Sequence, residues 1–213
     1  VEKHGPGRVY LDYLKALRQK VVARGRSMQA WGDVLLKRPS LLAALPGDVT
    51  VLAWGYEASD PLDQYAAALA QHDVPFYVCG GTSSWNSFAG RITNATTNLA
   101  KAIDAASDQG AAGVLITDWG DNGHWQPPVV SSLPLAYGAA MAWARGTNRS
   151  MPLCRALNVH CFLDAAEVTA GALHALGRVA EAAGLDRYNG TRLFDALHKP
   201  TLFEWQANEA GLT

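Results

Sequence analysis

The sequence has 213 residues, of which 49% are hydrophobic and 17% are charged, and its formal net charge is -1 at pH 7. This composition is typical of a globular protein and excludes a disordered chain. The nearly neutral charge offers no basic surface to nucleic acid, and no apolar run approaches the roughly 18 residues that a membrane span needs. We therefore expect neither nucleic acid nor a membrane among its partners.

Helix and strand patterns alternate along the chain as far as residue 146. The first predicted helix ends at Gly25, and Asp60 is expected to be the N-cap of a helix with Pro61 at its first position. Helices are predicted over 8–25, 37–47, 60–73, 94–110 and 133–146, and strands over 26–33, 48–58, 74–87 and 111–125. Such alternation predicts an α/β protein with a parallel sheet.

The character of the sequence changes after residue 149. Residues 162–185 and 190–211 have helical spacing, and no strand pattern follows. We therefore predict that residues 150–213 form a helical extension that packs on the sheet domain of residues 1–149.

The N-terminus and the cysteines bear on processing and location. The chain begins at Val1 with neither an initiator Met nor a signal-peptide pattern. Its three cysteines are too few and odd in number for a disulfide framework, which indicates free thiols in a reducing compartment. We expect a piece of a longer protein, located in the cytoplasm.

Each of the four predicted strands ends in a tryptophan that is closely followed by a polar side chain. The carboxyl ends of parallel strands form one rim, where ligands bind in α/β proteins. The tryptophans are Trp31, Trp54, Trp85 and Trp119, and the polar residues that follow them are Asp33, Tyr56, Asn86 and Asp121. One ligand pocket at this rim would therefore be lined by indoles, carboxylates and an amide.

Flat aromatic walls with carboxylates between them suit a sugar ring. The C–H groups of the ring stack on indole faces, while its hydroxyls donate hydrogen bonds to acids. His124, in the stretch DNGHW, would bind this ligand, orient Asp121, or only bond to its own loop. The alternative is that the tryptophans are core residues, because indoles are often buried.

These motifs together resemble the C-terminal half of the glycoside hydrolase family 20 enzymes, the β-N-acetylhexosaminidases, in their compact bacterial branch. The resemblance covers nearly the whole chain and runs through the stretches GRVYLDYL, RGRSMQAWGD, LAWGYE, CGGTSSWNSFAGR and TDWGDNGH. It implies a TIM barrel, of which this chain would form the second half, about four βα units. We expect no cofactor, and no metal either, because the spacing of Cys154, His160 and Cys161 matches no zinc pattern.

The resemblance also implies roles for the residues at the strand ends. Trp31, Trp54 and Trp119 would surround a terminal N-acetylhexosamine, with Trp85 as a further wall. Asp121 would bind sugar hydroxyls, and Tyr56 or Asn86 would contact the acetamido group. The substrate would be an N-acetylhexosamine-terminated glycoside, hydrolysed with retention by attack of its own acetamido carbonyl.

One departure from the family pattern concerns the catalytic acid. The family uses an adjacent Asp-Glu pair at the end of the fourth barrel strand, and no Asp-Glu dipeptide occurs in this sequence. We expect the pair upstream of Val1, and we expect this chain alone to be inactive. Because half a barrel leaves two unpaired sheet edges, the partner would be the missing N-terminal half or a second copy.

Two other interpretations of the sequence remain open. Asp33 and Asp121 could be the acid and nucleophile of an ordinary glycosidase if their carboxyl groups lie roughly 5–9 Å apart. Alternatively, the chain could be a non-catalytic carbohydrate-binding or assembly module. An Asp-Glu pair encoded upstream would favour the hexosaminidase.

Overall fold

The computed structural model describes residues 5–198 of the chain. The described chain divides into two compact units that alternate along the sequence. The first unit comprises the described residues up to Gly55, together with Asp60–Gly80 and Lys101–Leu115. The second comprises Tyr56–Ser59, Gly81–Ala100 and the described residues from Ile116 onward. The predicted domain boundary at residue 149 stays a prediction.

A four-stranded parallel sheet organises the chain, in the order β1-β2-β3-β4. Its strands are β1 (Met28–Trp31), β2 (Val49–Trp54), β3 (Phe76–Gly81) and β4 (Gly113–Thr117). In register, Ala30 lies opposite Val51, which in turn lies opposite Phe76. The prediction of an α/β protein with a parallel sheet is therefore confirmed.

The longer helices also follow the predicted order, whereas the helix predicted over 37–47 is a 3₁₀ helix over Pro39–Ala44. The α-helices are α1 (Gly5–Val22), α2 (Asp33–Leu36), α3 (Leu62–Gln71), α4 (Ile92–Asp108), α5 (Ser132–Asn148), α6 (Leu153–Leu157), α7 (Thr169–Leu176), α8 (Val179–Ala182) and α9 (Arg192–His198). Gly25 follows α1 with φ of +65°, a conformation that glycine adopts at little cost. At the start of α3, Pro61 occupies the N-cap position itself, so the predicted N-cap, Asp60, is one residue too early.

In the first unit, the core lies between one face of the sheet and the helices. Side chains alternate between the two faces of a strand, so Ala30, Val51 and Phe76 share a face, and all of them belong to this core. Leu11 and Leu14 of α1 pack into the same cluster. The spacing of the apolar residues in α1 therefore gives the helix the face that it buries.

The second unit has its own smaller core. Ile92 at the start of α4 packs with Leu133 of α5, Leu157 of α6 and Ala170 of α7. Helix α5 approaches α4 and β4 closely at Gly138, where an added Cβ would lie 2.5 Å from Ile116 Cδ1. An alanine at this position would have to displace the tip of the Ile116 side chain, so glycine suits the close approach.

The C-terminal part of the second unit contains a β-hairpin that the sequence analysis missed. Strands β5 (Asp186–Arg187) and β6 (Gly190–Thr191) pair antiparallel and are joined by Tyr188 and Asn189. The expectation of helices alone after residue 149 is therefore wrong at this point. The predicted helix over 190–211 begins at Arg192, and its continuation past His198 lies outside the described residues.

No helix between residues 5 and 198 combines the length and the apolar character that crossing a membrane would require.

Candidate functional site

The predicted site residues fall into both units, and each unit is described separately. Trp31 and Trp54 end β1 and β2 in the first unit, where both are partly buried. Trp31 lies opposite Leu52 in the register, so Trp31 and Trp54 project from the face of the sheet opposite the helix-covered core. Asp33 begins α2, and its negative charge adds to burial in raising the pKa of Tyr10.

In the second unit, Tyr56 lies between two of the predicted tryptophans. Its ring centroid is 5.2 Å from that of Trp85 in an edge-on arrangement and 6.3 Å from that of Trp119 in a tilted one. These are the separations and orientations that aromatic pairs prefer. The residues that follow β2, β3 and β4 thus form one aromatic cluster.

The members of this cluster differ in their access to solvent. Trp85 is 1% exposed, whereas Trp119 is 38% exposed and Tyr56 is partly buried. Trp119 and Tyr56 therefore keep part of their surface exposed to solvent, whereas Trp85 is buried and packs against Tyr56. Gly81 makes room for this packing, because an added Cβ would lie 2.6 Å from Trp85 Cη2 and 2.9 Å from Tyr56 Cδ1.

The loop that carries Trp119 is held by its own polar groups. The Thr82 hydroxyl donates to Asp118 Oδ1 at 2.6 Å, and Gln126 Nε2 donates to the carbonyl oxygen of Trp119 at 3.1 Å. The Trp125 indole donates to the carbonyl oxygen of Asn122 at 2.9 Å, while its ring is largely exposed. The loop therefore presents Trp119 and Trp125 on its outer side.

Asp121 and His124 lie in the same loop. Asp121 is partly buried and begins a short 3₁₀ turn, Asp121–Gly123. His124 is exposed, with φ of +56°, and its ring lies against Gly120, where an added Cβ would come within 2.9 Å of Nδ1. Asp121, His124 and Trp119 therefore lie in one loop, and their role as site residues stays a prediction.

Asn86 lies beneath this loop and is buried. Its Oδ1 accepts a hydrogen bond from Asn122 Nδ2 at 2.7 Å. Because Asn86 follows β3 and Asn122 follows β4, this bond joins the two strand-end segments. Asn86 is therefore placed to hold the loop.

A buried ion pair lies at the base of the cluster, and the sequence analysis missed it. Arg91 Nη1 and Nη2 donate to Glu57 Oε2 and Oε1 at 2.8 and 2.7 Å, and the two side chains are 2% and 11% exposed. A bidentate pair of this kind fixes orientation as well as charge. Because Glu57 follows Tyr56 directly, the pair anchors the segment that carries the Tyr56 ring.

Two asparagines of α4 hold the same segment through its backbone. Asn94 Nδ2 donates to the carbonyl oxygen of Tyr56 at 2.8 Å, and Asn98 Nδ2 donates to that of Glu57 at 3.0 Å. Residues four apart share one face of a helix. This i, i+4 spacing of two amides in the stretch NATTN is the sequence feature that could have revealed them.

Burial raises the pKa of an ionisable group in each unit. Desolvation raises the pKa of Asp186, although the positive charge of Arg91 opposes the shift. In the first unit, burial raises the pKa of the Cys79 thiol to about 12, so this group stays protonated at neutral pH. Between residues 5 and 198, no group of three or more His, Cys, Asp or Glu side chains is arranged to hold a metal ion.

No protein-family model matches the chain, and no curated protein matches it either. The resemblance to family 20 hydrolases therefore stays a prediction from its motifs, and so does the convergence of four tryptophans in one pocket.

Proposed function

We propose that the chain is the sugar-binding half of a glycoside hydrolase of family 20 type, which removes terminal N-acetyl-β-hexosamine. In this proposal it forms the second half of a TIM barrel, with Tyr56 and Trp119 stacking on the sugar and Asp121 accepting hydrogen bonds from its hydroxyls. The proposed substrate is an N-acetylhexosamine-terminated glycoside, and the proposed location is the cytoplasm.

The observation that carries this proposal is the partly exposed aromatic pair in the second unit. The Tyr56 and Trp119 rings lie 6.3 Å apart, and Asp121 is two residues from Trp119 in the same loop. A sugar needs an apolar face to stack on and acceptors for its hydroxyls, and this loop carries both. The buried ion pair and amides beneath it favour a preorganised surface, which lowers the entropy cost of binding.

The edges of the sheet support a partner that continues the barrel. Within the described residues, β1 and β4 are its outer strands, and no side chain of β4 is fully buried. Unpaired strand edges invite further strands. We propose that the N-terminal half of the barrel adds at these edges, and a chain that dimerised reversibly in sedimentation experiments would assign that place to a second copy.

The proposed reaction needs an acid that this chain lacks. No Asp-Glu dipeptide occurs in the 213 residues, so the pair that protonates the leaving oxygen and orients the acetamido group would come from the partner half. The acetamido carbonyl of the substrate would attack the anomeric carbon, as in substrate-assisted retaining hydrolysis. This chain would contribute the walls that hold the sugar in place for that attack.

The binding part of the proposal is tested by titrating the chain with N-acetylglucosamine in a calorimeter. We expect Trp119→Ala to weaken binding about tenfold or more, which corresponds to roughly 1.4 kcal/mol of lost stacking. The matched control is Trp143→Ala in α5, because Trp143 is 90% exposed in the same unit. Equal affinities for wild type, Trp119→Ala and Trp143→Ala would refute the proposed site.

The catalytic part is tested with an aryl N-acetyl-β-glucosaminide as substrate. We expect no turnover by the 213-residue chain, and turnover by a longer protein that includes the upstream reading frame. Activity of the short chain alone would place the acid within it, and Asp33→Asn and Asp121→Asn would then be the variants to measure.

A further inference from the structure

The loop of the β5–β6 hairpin contacts the base of the aromatic cluster through Asn189. Asn189 is the second of the two loop residues and has φ of +61°. Asparagine enters this left-handed region more readily than most residues, because its short side chain bonds locally. The turn therefore places Asn189 in contact with other residues of the second unit.

Asn189 uses three of its polar groups there. Its main-chain N–H donates to Glu57 Oε1 at 2.8 Å, and its main-chain carbonyl accepts from Asn86 Nδ2 at 2.9 Å. Its side-chain Oδ1 accepts from the Trp85 indole N–H at 2.6 Å. The segment that follows β2, at Glu57, and the segment that follows β3, at Trp85 and Asn86, are thus both bonded to this one residue.

These three partners are the residues that support the exposed rings. Trp85 packs edge-on against Tyr56, and Glu57 follows Tyr56 in the chain. Asn86 Oδ1 accepts from Asn122, whose carbonyl oxygen in turn accepts from the Trp125 indole in the loop of Trp119. Asn189 therefore reaches Tyr56 through Trp85, and it reaches the loop of Trp119 through Asn86 and Asn122.

The hairpin itself is held firmly. Arg187 pairs through two nitrogens with the carboxylate of Asp195, a side chain that is fully buried in α9, and Nη2 lies 2.7 Å from Oδ1. Thr191 N–H donates to the carbonyl oxygen of Asn86 at 3.0 Å. Gly190 allows the close approach, because an added Cβ would lie 2.8 Å from Asn86 Cβ.

We propose that Asn189 is a positioning residue for the sugar site, acting from the C-terminal hairpin through Trp85 and Asn86 to fix Tyr56 and the loop over 118–126. This inference rests on the proposed function. It gives the C-terminal part of the chain a role in binding, since the loop that stacks on the ligand would be ordered by a turn far away in sequence.

The test compares Asn189→Gly with wild type. Glycine keeps the left-handed backbone and both main-chain bonds, and it removes only the oxygen that accepts from Trp85. We expect amide hydrogen exchange over 118–126 to rise about tenfold and the affinity for N-acetylglucosamine to fall about tenfold, because the buried Trp85 indole N–H loses its acceptor. Trp85 then holds Tyr56 less firmly, and the Tyr56 ring packs against that of Trp119 in this loop. Trp85→Phe removes the same bond from the other side and should produce the same two changes.

The control is Glu167→Gly, which makes the same backbone change at another residue with positive φ, 54°, whose side chain lies in an exposed contact with Arg155. It should leave both readouts unchanged. Unchanged exchange over 118–126 in Asn189→Gly and Trp85→Phe would overturn the positioning role, as would an equal rise throughout the second unit. If wild type binds no sugar, the proposed function fails, while a local rise in exchange still supports the positioning role.

Discussion

The ion pair between Glu57 and Arg91 allows a quantitative prediction about stability. Arg91→Met removes both charge-assisted hydrogen bonds, at 2.8 and 2.7 Å, and leaves the Glu57 carboxylate 11% exposed without its counter-charge. Breaking a buried pair by removing one partner costs about 3–5 kcal/mol. With a urea m-value of about 3 kcal/mol per molar, the unfolding midpoint should fall by about 1–1.7 M.

The assay is urea unfolding followed by circular dichroism and tryptophan fluorescence. The double variant Glu57→Gln with Arg91→Met should recover most of the loss, because no buried charge remains and the glutamine oxygen still accepts from the N–H of Asn189. Arg8→Met is the control. It breaks a pair whose side chains are 57% and 55% exposed, and it should cost no more than about 0.5 kcal/mol. A loss of stability in Arg91→Met no larger than that in Arg8→Met would refute the predicted cost of breaking the buried pair. A double variant as unstable as Arg91→Met would refute it too.

Three further predictions concern packing, pH and reactivity. Gly81→Ala should lower the free energy of unfolding in urea by about 1–3 kcal/mol, because the new Cβ would overlap Trp85. Gly171→Ala on α7, where an added Cβ has nothing within 4 Å, should leave that free energy unchanged or raise it, and equal effects of the two variants would contradict the prediction. Asp164 accepts hydrogen bonds from three backbone N–H groups before α7, which lower the pKa of its carboxyl group to about 2. The stabilisation that these bonds provide is therefore complete above about pH 4 and is lost as the pH falls towards 2. A pKa near 3.8 for this carboxyl group in a carbon-13 NMR titration would contradict the prediction. At pH 8, iodoacetamide should alkylate exposed Cys161 well before buried Cys79, whose thiol pKa is about 12. Equal alkylation rates of the two cysteines, measured by mass spectrometry of the modified peptides, would contradict this prediction.

The sheet and the longer helices were predictable because their patterns are local. Val49, Val51 and Ala53 alternate with residues of the other face of β2, and α1 ends at Val22, three residues before the predicted Gly25. The N-cap of α3 lies one residue later than predicted. Pro61, whose φ is fixed by its ring, occupies that position, and no side chain makes a capping hydrogen bond there.

The support beneath the candidate site was not predictable in the same way. Trp85 and Trp119 were both predicted to end their strands, yet they come four and two residues after β3 and β4. One is 1% exposed and the other 38%, because burial depends on what packs over each ring. The partner of the Trp85 indole, Asn189, is 104 residues away. The local feature of that contact is the dipeptide Asn189-Gly190, which is typical of a hairpin loop, although the loop itself is formed by Tyr188 and Asn189 and Gly190 begins β6.

The most direct test of a sugar site at Tyr56 and Trp119 is a nitrogen-15 NMR titration of the indole N–H resonances with N-acetylglucosamine. The indole signals would be assigned with single Trp→Phe variants. We predict that the Trp119 resonance shifts with saturation while that of Trp143, which is 90% exposed on α5, stays in place. No shift at Trp119, or equal shifts at both residues, would contradict the account.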